Sequence, residues 1–540
     1  MKAKRVLAAL AAMTLTASLT SCSTKQPEAA AELISIYSSE PQNPLVPTNT
    51  TENGGGVLLE TLFDGLVGYD PEGKPFNKVA KSITPNADST KFTVEIKKGW
   101  KFHNGEEVTS DNFIKAWTFG ADTKNGQLGS DFFANIKGFD ELNGEKRTTD
   151  SLSGLRKIDD HKFTVELSAP ESTWPLRLGY SSYVPLPKVA FEDMDAFGEH
   201  PIGNGPYMMD GADAWTHNVN IRLKPFDGYS GPDKPQNKGL NFVFYTSQDT
   251  AYADMQAGDL DSIRETVGPN AYPSYEADFP NSHSNRPYAA IESFGIPYAL
   301  DHFKNDEEGK LRRQAISMAI DRNLITEKLF FGARTPARDF GSPTLGGTPD
   351  IKGKEVLSYQ PDKARELWAK ADKIRPYNST FKIAYNADGG HQPWVEAVTN
   401  SIRQTLNIKA EGKAYPNFKG LRDDVVNDKL DSGYRTGWLG DYPSIANFLE
   451  SQYRTKGSSN DSGYSNQQFD KLLSTAASSS SAKEAQPIYN QAQGILMQDL
   501  PQIPLWYKSA STAWNPKLKN FQTGWNGYPE FTKLTKEGDE

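Results

Sequence analysis

Apolar residues recur along this chain in two periods that alternate from end to end. Between 91 and 97 they fall on every second position, Phe92, Val94 and Ile96, with polar residues between. A period of two turns one face toward a core and predicts a half-buried strand. Residues 162–167 repeat the pattern, and further strands are predicted at 220–223, 241–245 and 381–385. Elsewhere the period lengthens to that of a helix. Val57, Leu58, Leu62 and Phe63 share one face of a helix over 54–63, as do Ala364, Leu367 and Trp368 over 359–373. Helices are also expected at 251–258, 311–325 and 393–406, the last with Pro393 in its first turn, where no N–H is needed. Ser110 is the expected cap of a helix presenting Phe113, Ala116 and Trp117. Ser481, three residues before Glu484, reads as a capping box or as the end of a short serine linker. Strands alternate with helices throughout, so the class is α/β.

The pattern changes at the N-terminus. Lys2, Lys4 and Arg5 precede a mostly apolar run over 6–17, too short for a membrane span and ordered like an export signal. Cys22, the only cysteine, has no intrachain disulfide partner and follows Leu19, Thr20 and Ser21. Leu-Thr-Ser-Cys resembles the bacterial lipobox, which implies an acylated Cys22 as the first mature residue. Residues 23–32 lack large apolar side chains and read as a flexible tether. The expectation is an exported chain held at a membrane surface by acyl groups alone.

Length and charge narrow the rest. A chain of 540 residues exceeds what one core usually supports, so two or three lobes are expected. Removing residues 1–21 moves the net charge from −9 to −12, which argues against nucleic acid and against direct adsorption to anionic lipid. The seven histidines include no pair at helical ligand spacing, and neither His-Glu-x-x-His, Gly-x-Ser-x-Gly nor a P-loop occurs. No catalytic residue, metal site or cofactor is expected. His103 reads as structural.

The segment 435–442 carries the most specific candidate chemistry. Arg435 and Asp441 stand six residues apart, with Gly437, Trp438 and Gly440 between. In an extended segment the two charges point to one side, with backbones about 20 Å apart at roughly 3.3 Å per residue. A short extended peptide carries an ammonium at one end and a carboxylate at the other. Asp441 can hold the first and the Arg435 fork the second. The glycines would let a ligand backbone approach closely.

Several further stretches lie in a telling order: Leu62-Phe-Asp-Gly-Leu66; Phe92 through Gly105, ending in a Lys-Phe-His-x-Gly turn; Pro201-Ile-Gly-Asn-Gly-Pro-Tyr207; Gly258-Asp-Leu-Asp261; Arg313 to Arg322; and Ile503-Pro-Leu505. In this order they resemble the family 5 extracellular solute-binding proteins of ABC importers, the oligopeptide- and dipeptide-binding lipoproteins, most of all actinobacterial members. The resemblance implies a type II (cluster C) periplasmic-binding-protein fold, with two main lobes that close on the ligand and an extra small lobe. It places a signal at 1–21, a tether at 22–32, lobe I at 33–70, 206–295 and 511–540, the small lobe at 71–205 and the second main lobe at 296–510. Gly437-Trp-Leu-Gly-Asp441 matches the family's Gly-Trp-x-x-Asp pattern, so Asp441 inherits the ammonium and Arg435 the carboxylate. Gly437 and Leu439 would pair with ligand main chain as an added strand, with Trp438 and Tyr442 as further candidate contacts. Thr48, Asn49 and Thr50 would line the opposite edge. The residues around Pro443 depart from the family, so its side-chain pockets do not carry over. The implied protein is a monomeric, lipid-anchored carrier on the outer face of the cell membrane, or in the periplasm if an outer membrane is present. It would take peptides of about three to five residues to ABC permease subunits and their ATPases. An oligosaccharide binder of the same family and, in another class, a secreted glycosidase are the alternative readings.

Overall fold

A computed structural model describes residues 33–346 and 350–537. The export signal, the tether and Cys22 lie outside the described residues. One mixed sheet runs in the spatial order Ala410–Tyr415, Phe381–Asn386, Gly433–Leu439, His283–Gly295, Gln502–Trp514, Ser262–Ile263, Ile34–Ser38, Leu240–Phe244, Asn220–Pro225, Tyr207–Met209. The antiparallel strands His283–Gly295 and Gln502–Trp514, 13 residues each, form a long ribbon. Its register shifts between Pro287 and Ile291 and again between Glu292 and Ser293, as bulges do where a ribbon bends. At one end the ribbon takes on Gly433–Leu439; at the other Ser262–Ile263 pairs with Trp514 and Ala513. The ribbon therefore joins two half-sheets. A separate antiparallel sheet holds Ala80–Pro85, Lys91–Ile96, Lys162–Glu166 and Leu155–Asp159.

The buried side chains fall into two large clusters. One joins helices Glu307–Met318, Pro361–Ile374, Gln392–Leu406, Ile445–Tyr453 and Ala482–Asp499 with Phe294, Phe381, Ile503 and Trp506. It also takes in Ala251, Tyr252, Ile263, Tyr272 and Phe279, because Tyr272 packs edge-on against Phe330 at 5.7 Å. The other unites Ile34, Ile36 and helix Asn53–Leu62 with the small sheet and with Leu534 near the C-terminus. Core packing thus crosses the segment boundaries that the resemblance implies.

Most predicted elements lie where the periodicity puts them, with two differences. Thr109, not Ser110, is the cap of helix Ser110–Ala121, in a capping box with Asn112. The expected helix over 311–325 is two, Glu307–Met318 and Arg322–Lys328, because Asp321 accepts the Leu324 N–H at 3.0 Å and starts a new helix.

The sequence signatures meet one another in space. Gly203 N–H donates to His103 Nδ1 at 3.0 Å, and the Trp100 indole donates to the Asn204 carbonyl at 3.1 Å. A Cβ on Gly203 would lie 1.8 Å from the Leu62 carbonyl oxygen, so only glycine fits. Burial holds His103 down to about 4, hence neutral. Arg322 is buried and donates to the Pro504 carbonyl at 2.9 Å, joining two more signatures. These motifs are joints of the fold; the candidate ligand chemistry lies elsewhere.

Candidate functional site

The strand Gly433–Leu439 has two different edges. On one side it pairs antiparallel with the ribbon, from Tyr434 opposite Gly295 to Leu439 opposite Ala290. On the other, Phe381–Asn386 pairs only at Gly433 and Tyr434. From Arg435 to Leu439 the second edge has no strand partner among the described residues. An unpaired edge is a template for another extended chain.

Asp441 lies just beyond one end of that edge, half-buried. Its Oδ2 accepts from Asn447 Nδ2 at 2.7 Å, and the Tyr180 hydroxyl also faces the carboxylate. Asn447 Oδ1 in turn accepts from the Asp441 N–H at 2.9 Å and from the Trp438 indole at 2.8 Å. Asn447 sits in the first turn of helix Ile445–Tyr453, which Ser444 caps. Burial raises the Asp441 carboxyl to about 7, and the other charge it feels is an acid, Asp131. No basic side chain among the described residues pairs with it. This is a rigidly held carboxylate without a counter-ion.

Arg435, at the other end, is the mirror case. Its Nε donates to Asn386 Oδ1 at 2.7 Å, and its guanidinium lies 5.0 Å from the Phe418 ring centre. Burial depresses it below the usual arginine range, partly offset by Glu292 and Asp388. Neither acid forms an ion pair with it. Glu292 lies 3.5 Å from Lys508, and His391 is held well below the histidine range by burial, with Arg435 and Lys508 adding to the effect. The Trp394 indole donates to His391 Nδ1 at 3.1 Å, so the neutral ring carries its proton on Nε2. This end of the edge offers the Arg435 guanidinium and the His391 Nε2–H as donors, beside the acids Glu292 and Asp388.

Other expected contacts are placed differently. Gly437 is a glycine because a Cβ there would lie 2.7 Å from the Ile291 carbonyl oxygen, in the neighbouring strand. Gly440 makes room for Trp525, 3.0 Å from where its Cβ would stand. Both correct the expectation that the glycines serve ligand approach. Leu439 packs against Tyr288, Ala290 and Ala510. Tyr442 is buried under the Arg177 guanidinium, 5.5 Å from the ring centre. Thr48 and Thr50 are buried, their hydroxyls donating to Gln127 Oε1 at 2.7 Å and the Val46 carbonyl at 3.0 Å. Asn49 accepts from the Leu128 N–H at 3.2 Å. Residues 127–129 wrap Thr48 and Asn49, Gly129 N–H donating to the Thr48 carbonyl at 2.9 Å, while Thr50 folds back on the local turn at Val46. The reading of the sequence missed Asn447, Tyr180 and His391. A Ser-capped helix start was legible at Ser444; Tyr180 comes from a distant segment and left no local signal.

Contacts also cross between the second cluster and the rest. Arg177 pairs with Glu171 and lies 3.7 Å from Glu450. Asp131 accepts from Ser458 N–H at 3.2 Å, and Ser172 donates to the Ser479 carbonyl at 2.6 Å.

A bent two-strand ribbon joining two half-sheets, with an open strand edge between, defines a hinged binding protein. Residues 74–460 match the family described as bacterial extracellular solute-binding proteins, family 5, and the chain belongs to that family. It is 26% identical over 481 residues to the oligopeptide-binding protein OppA of Bacillus subtilis, covering 86% of this chain and 85% of that one. The fold is that of the Escherichia coli murein tripeptide binding protein MppA, with a TM-score of 0.82 at 23% identity over 93% of this chain and 98% of that one. It is the type II periplasmic-binding-protein fold, with two main lobes that close on a ligand and an extra small lobe. Against the unliganded open form of MppA the TM-score is 0.68, at 23% identity over 94% and 97% of the two chains.

Proposed function

We propose that this chain captures short peptides between its lobes and delivers them to an ABC permease. One observation carries the reading: an unpaired strand edge ends in a carboxylate without a cation and begins at a guanidinium without a carboxylate. A peptide laid along the edge would hydrogen-bond as an added strand, its ammonium at Asp441 and its carboxylate at Arg435 beside His391. About 20 Å of backbone, less the reach of both side chains, suits three to five residues. The name of the Bacillus relative supports the same substrate class. Ligand bridging both lobes would favour the closed state, which the permease reads. In this reading the protein acts as a monomer, and an acyl group on Cys22 holds it on the outer face of the cell membrane.

The test is calorimetry with tetraalanine, free and N-acetylated, on the purified protein, with mass spectrometry of any ligand released on denaturation. Tight binding of the free peptide and a loss of at least ~100-fold on acetylation are expected, since an unpaired buried charge costs roughly 3–5 kcal/mol. Equal affinity for the two would overturn the reading.

A further inference from the structure

Helix Asn53–Leu62 is buried on every face but one. Asn53, Gly56 and Glu60 form a strip at helical spacing, and Glu60 is exposed while Val57, Leu58 and Leu59 beside it are buried. The strip faces Asn526 and Tyr528 near the C-terminus. Both Glu60 carboxylate oxygens accept from Asn526 Nδ2 at 3.1 Å. Asn526 follows Trp525, whose ring packs against Gly440, the neighbour of Asp441. Trp525 also meets Tyr69 edge-on at 5.4 Å, and Tyr69 feels both the Glu60 and the Asp441 carboxylates. Glu60 thus borders the ammonium end of the open strand edge.

The carboxylate lacks a cation of its own. Lys78 and Arg264 reach it electrostatically, but Lys78 pairs with Asp64 at 2.5 Å, and Arg264 pairs with Glu265 while donating to Asn53 at 2.6 Å. The nearby acid Glu530 lies 3.4 Å from Lys533. Desolvation by the surrounding protein lifts Glu60 to about 7 although the residue is exposed, as for an acid on a concave surface. There is also room. A Cβ on Gly56 would meet nothing nearer than the Tyr528 hydroxyl at 3.7 Å.

We infer that Asn53, Gly56 and Glu60 form a side-chain subsite in which Glu60 selects a lysine or arginine side chain near the amino end of a bound peptide. The inference rests on the peptide-binding reading and adds to it a preference for cationic side chains. Gly56 leaves the space, Asn526 orients the carboxylate, and the ligand's ammonium or guanidinium supplies the missing charge-assisted partner. The pair adds a charge-assisted contact that a neutral side chain cannot make, and a neutral side chain leaves Glu60 hydrated as it is in the free protein.

The experiment compares tetraalanine with three tetrapeptides carrying one lysine at position 1, 2 or 3, on the wild-type protein and on Glu60→Gln. Wild type should bind at least one lysine peptide tenfold or more tighter than tetraalanine. Glu60→Gln should erase that ratio while keeping its tetraalanine affinity, which also shows that the variant is folded. Equal binding of all four peptides by wild type overturns the subsite and leaves peptide capture standing. A lysine preference that survives Glu60→Gln likewise overturns it. Failure of wild type to bind any of the four overturns peptide capture, and the subsite with it.

Discussion

The Asp441 carboxyl has a consequence that pH can read. Burial lifts it to about 7 from its ordinary value near 3.8, so the carboxyl gains its proton close to neutral pH and not in strong acid. An ammonium needs the ionised form. Below pH 7 binding must first remove a proton, so the affinity for tetraalanine should fall as pH drops. The slope approaches tenfold per pH unit until the pKa of the complex is reached, because the bound ammonium pulls that pKa down. The affinity should peak just above pH 7 and fall again above about pH 8, where the peptide's own α-amino group loses its proton. Calorimetry in buffers of different ionisation enthalpy would detect the released proton, and Asp441→Asn should abolish both the slope and the release. At the other end, Arg435→Ala should weaken free-acid peptides of the length that spans the edge and leave their C-terminal amides little changed. Arg435→Lys should not restore the loss, since a point charge lacks the planar fork. An equal loss for acids and amides at every length would give Arg435 a purely structural role.

At the scale of the element, two features separate strand architecture from ligand contact. Gly437→Ala would press a Cβ to within 2.7 Å of the Ile291 carbonyl, and overpacking of this kind costs about 1–3 kcal/mol. Urea denaturation of the ligand-free variant should show that loss; unchanged stability with weakened peptide binding would return the glycine to the ligand. Arg177 bridges Glu171, Tyr442 and Glu450 across the contact between the small sheet's region and helix Ile445–Tyr453. Arg177→Ala leaves buried carboxylates facing one another, so the ligand-free protein should favour an open arrangement. Small-angle scattering should report a larger radius of gyration. All peptides should weaken by one common factor, because the competent state is less populated whatever the peptide's ends.

For the molecule as a whole, the prediction concerns place, since Cys22 stands ahead of every described element. Cys22→Ser should leave the melting temperature and peptide affinity unchanged and release the protein from the membrane fraction. Retention of the variant at the membrane would remove Cys22 as the anchor.

The sequence by itself determined the α/β class and most elements. Phe92, Val94 and Ile96 or Leu367 and Trp368 reveal a period that depends only on neighbours along the chain. It also determined the two ends of the candidate site, because Arg435 and Asp441 belong to one extended segment whose geometry is local. What the tertiary structure decided depends on partners far away in sequence. Periodicity carries no account of which edge of a strand stays open, so only the assembled sheet shows that Phe381–Asn386 stops pairing at Tyr434. The glycines at 437 and 440 suggested ligand approach, and the structure assigns them to Ile291 and Trp525. Thr48 turns inward because Gln127 and Gly129 hold it, and Thr50 because it bonds back to Val46. Asp441 is one acid among many in the sequence. What makes it the candidate ammonium site is burial beside Asn447 and Tyr180 without a cation, and burial is a property of the fold.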